Sequence, residues 1–566
     1  MAYFLKKSFS KGRTYISICD SFYSHEKKGT AHKTFKSLGS VESNIAKGIE
    51  DPISYFQKEV DRLNAERTPK KEQFITDTSP LKYLGYFPLA SILNNLDIER
   101  YINLYKLTTN YDFNLYDLLK ALIYARAVNP CSKYKTFHEV IPSLFENIDF
   151  SYDQLLEGLS FYGNEYEKIV ELFTSQVNKK YSIDTNTTYF DCTNFFFEID
   201  REDDFRRKGP SKENRTSPII GLGLLLDSNQ IPIGMKMYPG NESEKPVLRN
   251  IIDDLKKQNN ITGRTIHVAD KGLNCSENII KSLKNKDGYL FSKSVKTLPE
   301  VEKTWVLLDN DYKYINDKNG EIRYKYKSCV DEFTYYYTDE NGKKKEIKLK
   351  EKRLVTYNPS LAAKKKYEIN KLVEKAKSLR ASEAKRSEYG DSGKYIIFES
   401  INEDGTVSSK KSKAVINQEA IDKDIKLAGY NLLVTSEIKM SDTDIYNTYH
   451  NLWRIEESFR IMKSDLDARP VFLQKESTIK GHFLICYLTV LLERLFQFHI
   501  LKNKYSTSVI FNFIREFKVV KYRDEYINLT VKTDFINDLC DITGLPLENF
   551  ILSETKIKKV LNYNFM

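Results

Sequence analysis

Four β-type runs between residues 184 and 300 constrain this chain more than any other feature. They read "TTYFDCTNFFFEI", "PIIGLGLLLDSNQIPIGMKMYPGN", "RTIHVADKGL" and "GYLFSKS". The second divides into two strands at the turn-forming "DSNQ". A polar helix candidate, "CSENIIKSLKNK", precedes the last run. In the first run, both alternating sets of residues are largely apolar, which marks a strand buried on both faces. Such a sheet needs cover on each side, so the order predicts a mixed α/β sheet with flanking helices. "GYNLLVTS" (Gly429–Ser436) returns to strand character, and the helix candidate "YHNLWRIEESFRIMKSD" (Tyr449–Asp465) follows.

The simplest organisation is one α/β domain, 184–300 plus 428–500, interrupted by a β-rich insertion at 301–427. That insertion is rich in Lys, Glu and Tyr. It carries a hairpin candidate around Asn341-Gly342 and a charged helix candidate at 361–380. Residues 1–70 hold short β-like pieces around the basic turn "HEKKGT". Residues 80–183 have helical spacing. A helix there stops at Asn129-Pro130 and restarts near Ser132. Residues 501–566 read as a helical tail. The most apolar run, "FLICYLTVLL", is too short to span a bilayer and reads as a buried core helix.

Composition narrows the chemistry. The seven cysteines are odd in number, widely spaced and form no CxxC pair. That argues against a disulfide framework or a zinc ribbon and for a reducing cytoplasm. The histidines show no metal-binding spacing, and the first residues lack a signal-peptide core. A net charge of +10 permits a nucleic-acid partner without demanding one. The basic runs "KKGTAHKTFK" and "NGKKKEIKLKEKR" could track phosphates, although charge runs are more often solvated faces.

Three carboxylates stand out. Asp191 lies inside a buried strand, where an ionised side chain is costly unless compensated. Asp270 ends the strand-like "TIHVAD", the end of a strand where ligands gather in α/β sheets. In the helix candidate, seven residues turn about 700°, so Tyr449, Glu456 and Lys463 share a face. Leu452, Ile455, Phe459, Met462 and Leu466 form an apolar stripe beside it. Glu457 is expected to point to solvent, and Glu456 alone could equally pair with Arg460. Three clustered carboxylates tolerate one another when divalent metal neutralises them. Oxygen ligands without Cys or His point to Mg²⁺ or Mn²⁺.

The sequence resembles the bacterial insertion-sequence DDE transposases of the IS-four group, marked by a Y-x2-R-x3-E-x6-K signature. "YFDCTNFFFE" looks like their first-aspartate strand, and "VADKGL" like the second-aspartate motif. "YPGNESE", with Gly240, Asn241, Ser243 and Glu244, is similar to their G-N-x-S-E ending. "YHNLWRIEESFRIMKSDL" resembles the signature, and "RAVNPCSK" (Arg126–Lys133) a segment of their N-terminal region. The signature arginine position is Leu452, so Arg454 or Arg460 would have to supply that charge.

The resemblance implies an α/β RNase H-like catalytic domain interrupted by a β-rich insertion, with a mainly helical N-terminal region whose residues 80–183 would bind DNA. It implies catalytic, metal-holding Asp191, Asp270 and Glu456, binding two Mg²⁺ ions for which Mn²⁺ can substitute. Tyr449 and Lys463 would grip DNA near the cut. Arg460, Arg454, Lys271 and Trp453 are further DNA-contact candidates, with Lys293 a weaker one. The expected partners are double-stranded DNA (terminal inverted repeats and target) and a second copy of the chain, with no membrane. Two alternatives stay open: an RNase H-like nuclease without strand transfer, and an inactive transposase-derived DNA-binding protein.

Overall fold

The computed structural model describes residues 3–24, 29–67, 79–105, 109–146, 149–212, 216–257, 261, 263–339, 342–381, 388–400 and 412–565. The chain forms two compact units, residues 1–77 and 78–566. His25–Lys28 of the basic turn and Asn341 of the hairpin tip lie outside the described residues.

In the first unit, strands β1 (Tyr3–Ser10), β2 (Arg13–Ser24) and β3 (Gly29–Ser40) make an antiparallel sheet. Lys11 and Gly12 both take positive φ (50° and 77°), the two-residue turn that matches strand twist. Ser40 caps a short helix, Val41–Ile45, and helix Pro52–Arg67 follows. Lys36 of the first basic run pairs with Glu59.

The second unit begins with β4 (Leu81–Tyr83) and a helical region. Its central helix, Leu115–Val128, is capped by Asn114 and ends at Asn129. Ser132 then caps a new turn, as the sequence predicts. Helix Tyr152–Asn164 crosses the long helix Glu476–Leu495 at two glycines. A Cβ on Gly163 would lie 1.6 Å from Ser477 O, and one on Gly481 2.1 Å from Leu159 O. Only glycine permits that approach.

The core of this unit is a nine-stranded mixed sheet in the order β10-β11-β12-β15-β9-β8-β5-β6-β7. The strands are β5 (Thr187–Phe196), β6 (Ile219–Leu226), β7 (Pro232–Pro239), β8 (Ile266–Ala269), β9 (Gly288–Lys293), β10 (Lys313–Asn316), β11 (Ile322–Thr338), β12 (Lys344–Tyr357) and β15 (Tyr430–Thr435). β5–β8 and β8–β9 are parallel, and the other pairings are antiparallel. Alternation along β5 sends Phe190 and Cys192 to one apolar core and Tyr189 and Phe195 to the other. Helix Glu244–Lys257 covers the first face, and helix Glu476–Leu495 packs on the second.

The long hairpin β11–β12, within residues 301–427, hydrogen-bonds directly onto β15. Helix Pro359–Ala381 and the two-stranded sheet β13 (Ile396–Ser400) and β14 (Ser412–Ile416) follow the hairpin.

Two expectations change. The tail holds three helices but also strands β16 (Lys518–Tyr522), β17 (Glu525–Asn528) and β18 (Ile551–Ser553). These form a separate four-stranded sheet with β4, a pairing across the length of the unit that local pattern does not encode. The apolar run belongs to a longer helical stretch, Glu476–Ile500, which is long and apolar enough to cross a membrane. In this structure 83% of its apolar window is buried inside the protein.

Candidate active site

Parallel pairing of β5 with β8 sets Phe190 opposite Ala269. Asp191 and Asp270, the next residues on each strand, therefore come together at adjacent positions. Asp191 Oδ1 accepts from the Cys192 amide at 2.7 Å. Asp270 Oδ1 accepts from Ser292 Oγ of β9 at 3.1 Å and from Tyr449 OH at 3.0 Å.

Burial pushes the Asp191 carboxyl up to about 6. Lys212 and the Cys192 amide pull it down, while Asp270 and Glu244 push it further up. A buried carboxylate beside two others is short of positive charge. Lys212 supplies some: its Nζ donates to Cys192 O and stands 3.8 Å from Asp191 Oδ1 and 3.4 Å from Glu244 Oε1. Burial opposes the ammonium, but the two carboxylates hold it above its usual range.

The loop carrying Lys212 is pinned to β5. Asn194 Nδ2 donates to Pro210 O at 3.0 Å, and the Lys212 amide donates to Asn194 Oδ1 at 3.1 Å. A Cβ on Gly240 would sit 2.2 Å from Ile219 O, so this glycine lets the chain turn closely over β6. A cavity of about 400 Å³ opens here, lined by Asn194, Lys212, Tyr238, Gly240, Glu244 and others. The "GNESE" motif thus forms its wall. Lys212, Glu244 and Ser292 are site residues that the sequence reading did not assign. Glu244 stood in a quoted motif, whereas Lys212 and Ser292 carried no distinguishing pattern.

The segment Tyr449–Asp465 is not one helix. Helix Asp442–His450 ends, a tight turn spans Asn451–Leu452, helix Trp453–Arg460 follows, and a π-helical turn covers Ile461–Asp465. The Ile455 amide bonds to Leu452 O, a three-residue step, and Leu466 to Ile461 O, a five-residue step. Three- and five-residue steps over- and under-wind the chain, so the shared-face argument fails. Tyr449 reaches Asp270, and Lys463 Nζ donates to Thr193 Oγ1 of β5 at 2.8 Å. Glu456 is exposed instead. Among the described residues, no three His, Cys, Asp or Glu side chains group closely enough to hold a metal ion. The apolar stripe is buried as expected.

Glu457 corrects a second expectation. Its side chain is only 12% exposed and pairs with Arg494, which is fully buried, at 3.0 Å and with Arg454 at 3.2 Å. Arg454 also lies 4.0 Å from the ring centre of Trp453, which is half-exposed. Arg460 stands 3.7 Å from Glu457 and 3.8 Å from Asp465, not against Glu456. Lys271 is exposed and lines a groove of about 390 Å³ together with Lys293, Lys296, Lys364 and Lys365. Burial, and then Arg353, push the Lys293 ammonium down.

The aspartate pair suits a hard divalent cation by donor type and by its need for positive charge. Glu456 does not join it in this arrangement.

A family model described as "Transposase DDE domain" matches residues 194–492, more than half of the chain. The match starts just beyond Asp191 and includes Asp270, Tyr449, Glu456 and Lys463. No curated protein matches the sequence. Among solved structures, the chain is similar to one titled "Cryo-EM structure of piggyBac transposase synaptic complex with hairpin DNA (SNHP)". The identity is 10%, the coverage 86% of this chain and 83% of that one, and the TM-score 0.36.

Proposed function

The chain belongs to the DDE-domain transposase family, and on that premise we propose that it cuts DNA at the ends of an insertion sequence and joins those ends to target DNA. The observation that carries this reading is the meeting of Asp191 and Asp270 at adjacent strand positions, with Tyr449 bonded to Asp270 and Lys463 beside the same strand. We read the catalytic domain as RNase H-like, interrupted by an insertion at 301–427. We place the chain in the bacterial IS-four group, acting on the nucleoid within the cytoplasm. The mixed sheet, with antiparallel β5–β6–β7 beside parallel β8 and β9, supports that reading.

Asp191 and Asp270 would hold Mg²⁺ (two ions, with Mn²⁺ as substitute), and Glu456 would complete the set on closure over DNA. Bound there, the metal supplies activation of an attacking oxygen and charge stabilisation of the leaving one. The chain's own groups do the rest. Lys212 balances Asp191 until cation and phosphate arrive. Tyr449 and Ser292 orient Asp270. Lys463, anchored at Thr193, presents an ammonium to the phosphate near the cut. Lys271 and Lys293 line a groove with Lys296, Lys364 and Lys365, where Asp424 and Glu368 already pair Lys296 and Lys365; a DNA backbone would meet the other lysines. Arg460 would turn from Glu457 and Asp465 to phosphate, and Trp453, with Arg454 against its ring, would stack on a displaced base. Joining two ends requires two active sites, so the working form would be a dimer on DNA.

Incubating the protein with terminal-repeat DNA and Mg²⁺ tests this reading. Cut ends together with end–target joined products are expected. Cut ends alone would make it a nuclease without strand transfer. The exposed position of Glu456 favours one further reading, an inactive DNA-binding derivative. Site-specific Mn²⁺ binding that Asp191→Asn abolishes would exclude it.

A further inference from the structure

We propose that the cavity between the helical region and the segment after Lys463, floored by Arg126, Lys133 and His482, is a subsite for one backbone phosphate of bound DNA. The inference rests on the reading above that DNA is the substrate.

The cavity measures about 230 Å³. Arg126 and Lys133 are 4% and 7% exposed, and both line it. Among the described residues, neither forms an ion pair with a carboxylate, and the one acid lining the cavity is the exposed Asp467. A buried cation without a counter-charge is expensive, and two beside each other more so. Burial, and then Arg126, drive the Lys133 ammonium well below its usual range.

Their hydrogen bonds leave donors to spare. Arg126 gives Nη1 to Leu466 O at 3.3 Å and Nη2 to Cys131 O at 3.0 Å. His482 Nε2 lies 3.1 Å from Ala468 O, which can only accept, so Nε2 carries the proton and Nδ1 accepts from Lys133 Nζ at 3.2 Å. That uses one of three ammonium hydrogens and two of five guanidinium hydrogens. The remainder suit the several oxygens of a phosphate.

The rim points to a phosphate within a nucleic acid. Tyr134 and Phe472 are 60% and 70% exposed at the mouth, beside Tyr152. Exposed rings next to a cationic floor match a nucleotide, whose base can stack while its phosphate is held. The carbonyls that anchor Arg126 and His482 belong to Leu466 and Ala468, a few residues after Lys463. A phosphate seated here would thus set the strand's register at the aspartate pair.

Binding of a labelled terminal-repeat oligonucleotide to metal-free full-length protein tests the assignment, with inorganic phosphate as a separate arm. Lys133→Met should melt close to the wild-type temperature, because removal of a buried cation without a counter-charge offsets the lost hydrogen bond to His482 Nδ1. It should also bind the oligonucleotide about tenfold more weakly, with a salt slope lower by about one. Arg126→Gln should weaken binding in the same direction. Wild-type affinity in both variants would overturn the assignment. Stabilisation by inorganic phosphate without oligonucleotide dependence on Lys133 would also overturn it, making this a free-anion site. If Asp191→Asn kept full cleavage while Lys133→Met lost binding, the cleavage reading would fail and the subsite would stand.

Discussion

Tyr449 donates its hydroxyl to Asp270 Oδ1 at 3.0 Å, and the same oxygen accepts from Ser292 at 3.1 Å. Two donors on one carboxylate oxygen fix the rotation of the carboxylate. They come from different elements, the end of a helix and strand β9, so the aspartate is oriented by the fold as a whole.

Tyr449→Phe tests that orientation. A hydrogen bond to a charged group contributes about 1.5–3 kcal/mol. Cleavage of terminal-repeat DNA should fall roughly tenfold to a hundredfold, with little change in melting temperature. An unchanged rate would mean that Asp270 needs no help from the tyrosine.

Glu457 and Glu456 should separate in stability. Glu457→Ala takes from the fully buried Arg494 its nearest carboxylate, at 3.0 Å, and leaves it Gln497 and the more distant Glu493 at 3.9 Å, a loss of about 3 kcal/mol. Glu456→Gln alters an exposed side chain and should leave the denaturant midpoint in place. Chemical denaturation of the two variants side by side measures both.

Glu493 makes stability depend on pH. It is fully buried in helix Glu476–Leu495, and burial pushes its carboxyl up to about 7 from the usual 4.5. A raised carboxyl contributes its full stability below pH 4.5 and loses it as pH rises through 7. The loss approaches about 3 kcal/mol. Glu493→Gln cannot ionise, so its melting temperature relative to wild type should climb between pH 4.5 and about 7, then level off. A flat difference across that window would contradict the burial argument.

Lys212 should compete with cation at the aspartate pair, since its ammonium already faces both Asp191 and Glu244. Lys212→Gln is expected to tighten Mn²⁺ binding, on the order of tenfold at short range in a partly buried site. Weaker binding in the variant would show that the lysine helps to build the site.

Much of the sheet was legible because burial on both faces leaves a plain mark, and "TTYFDCTNFFFEI" carries it. Asp191 and Asp270 stood out since an acid inside or ending such a run has a cost. The helix stop at Asn129 and restart at Ser132 were legible from local capping chemistry. What failed was the extrapolation of one helical period through Tyr449–Asp465. A tight turn at Leu452 and a π-turn after Arg460 depend on how the segment packs over β5 and β8, and composition does not encode that. Glu457 was misread for the same reason. Its partner Arg494 lies on another helix. Lys212 sits in a polar loop whose position is set by Asn194 of β5, a contact with no local signature.

The most direct test compares Asp191→Asn, Glu456→Gln and Glu457→Gln in Mg²⁺-dependent cleavage of terminal-repeat DNA, each variant first shown to bind that DNA. The account predicts that the first two lose cleavage while Glu457→Gln, where folded, keeps it. Wild-type cleavage by Asp191→Asn would contradict the account at its centre. Loss in Glu457→Gln with retention in Glu456→Gln would move the third carboxylate to the neighbouring residue.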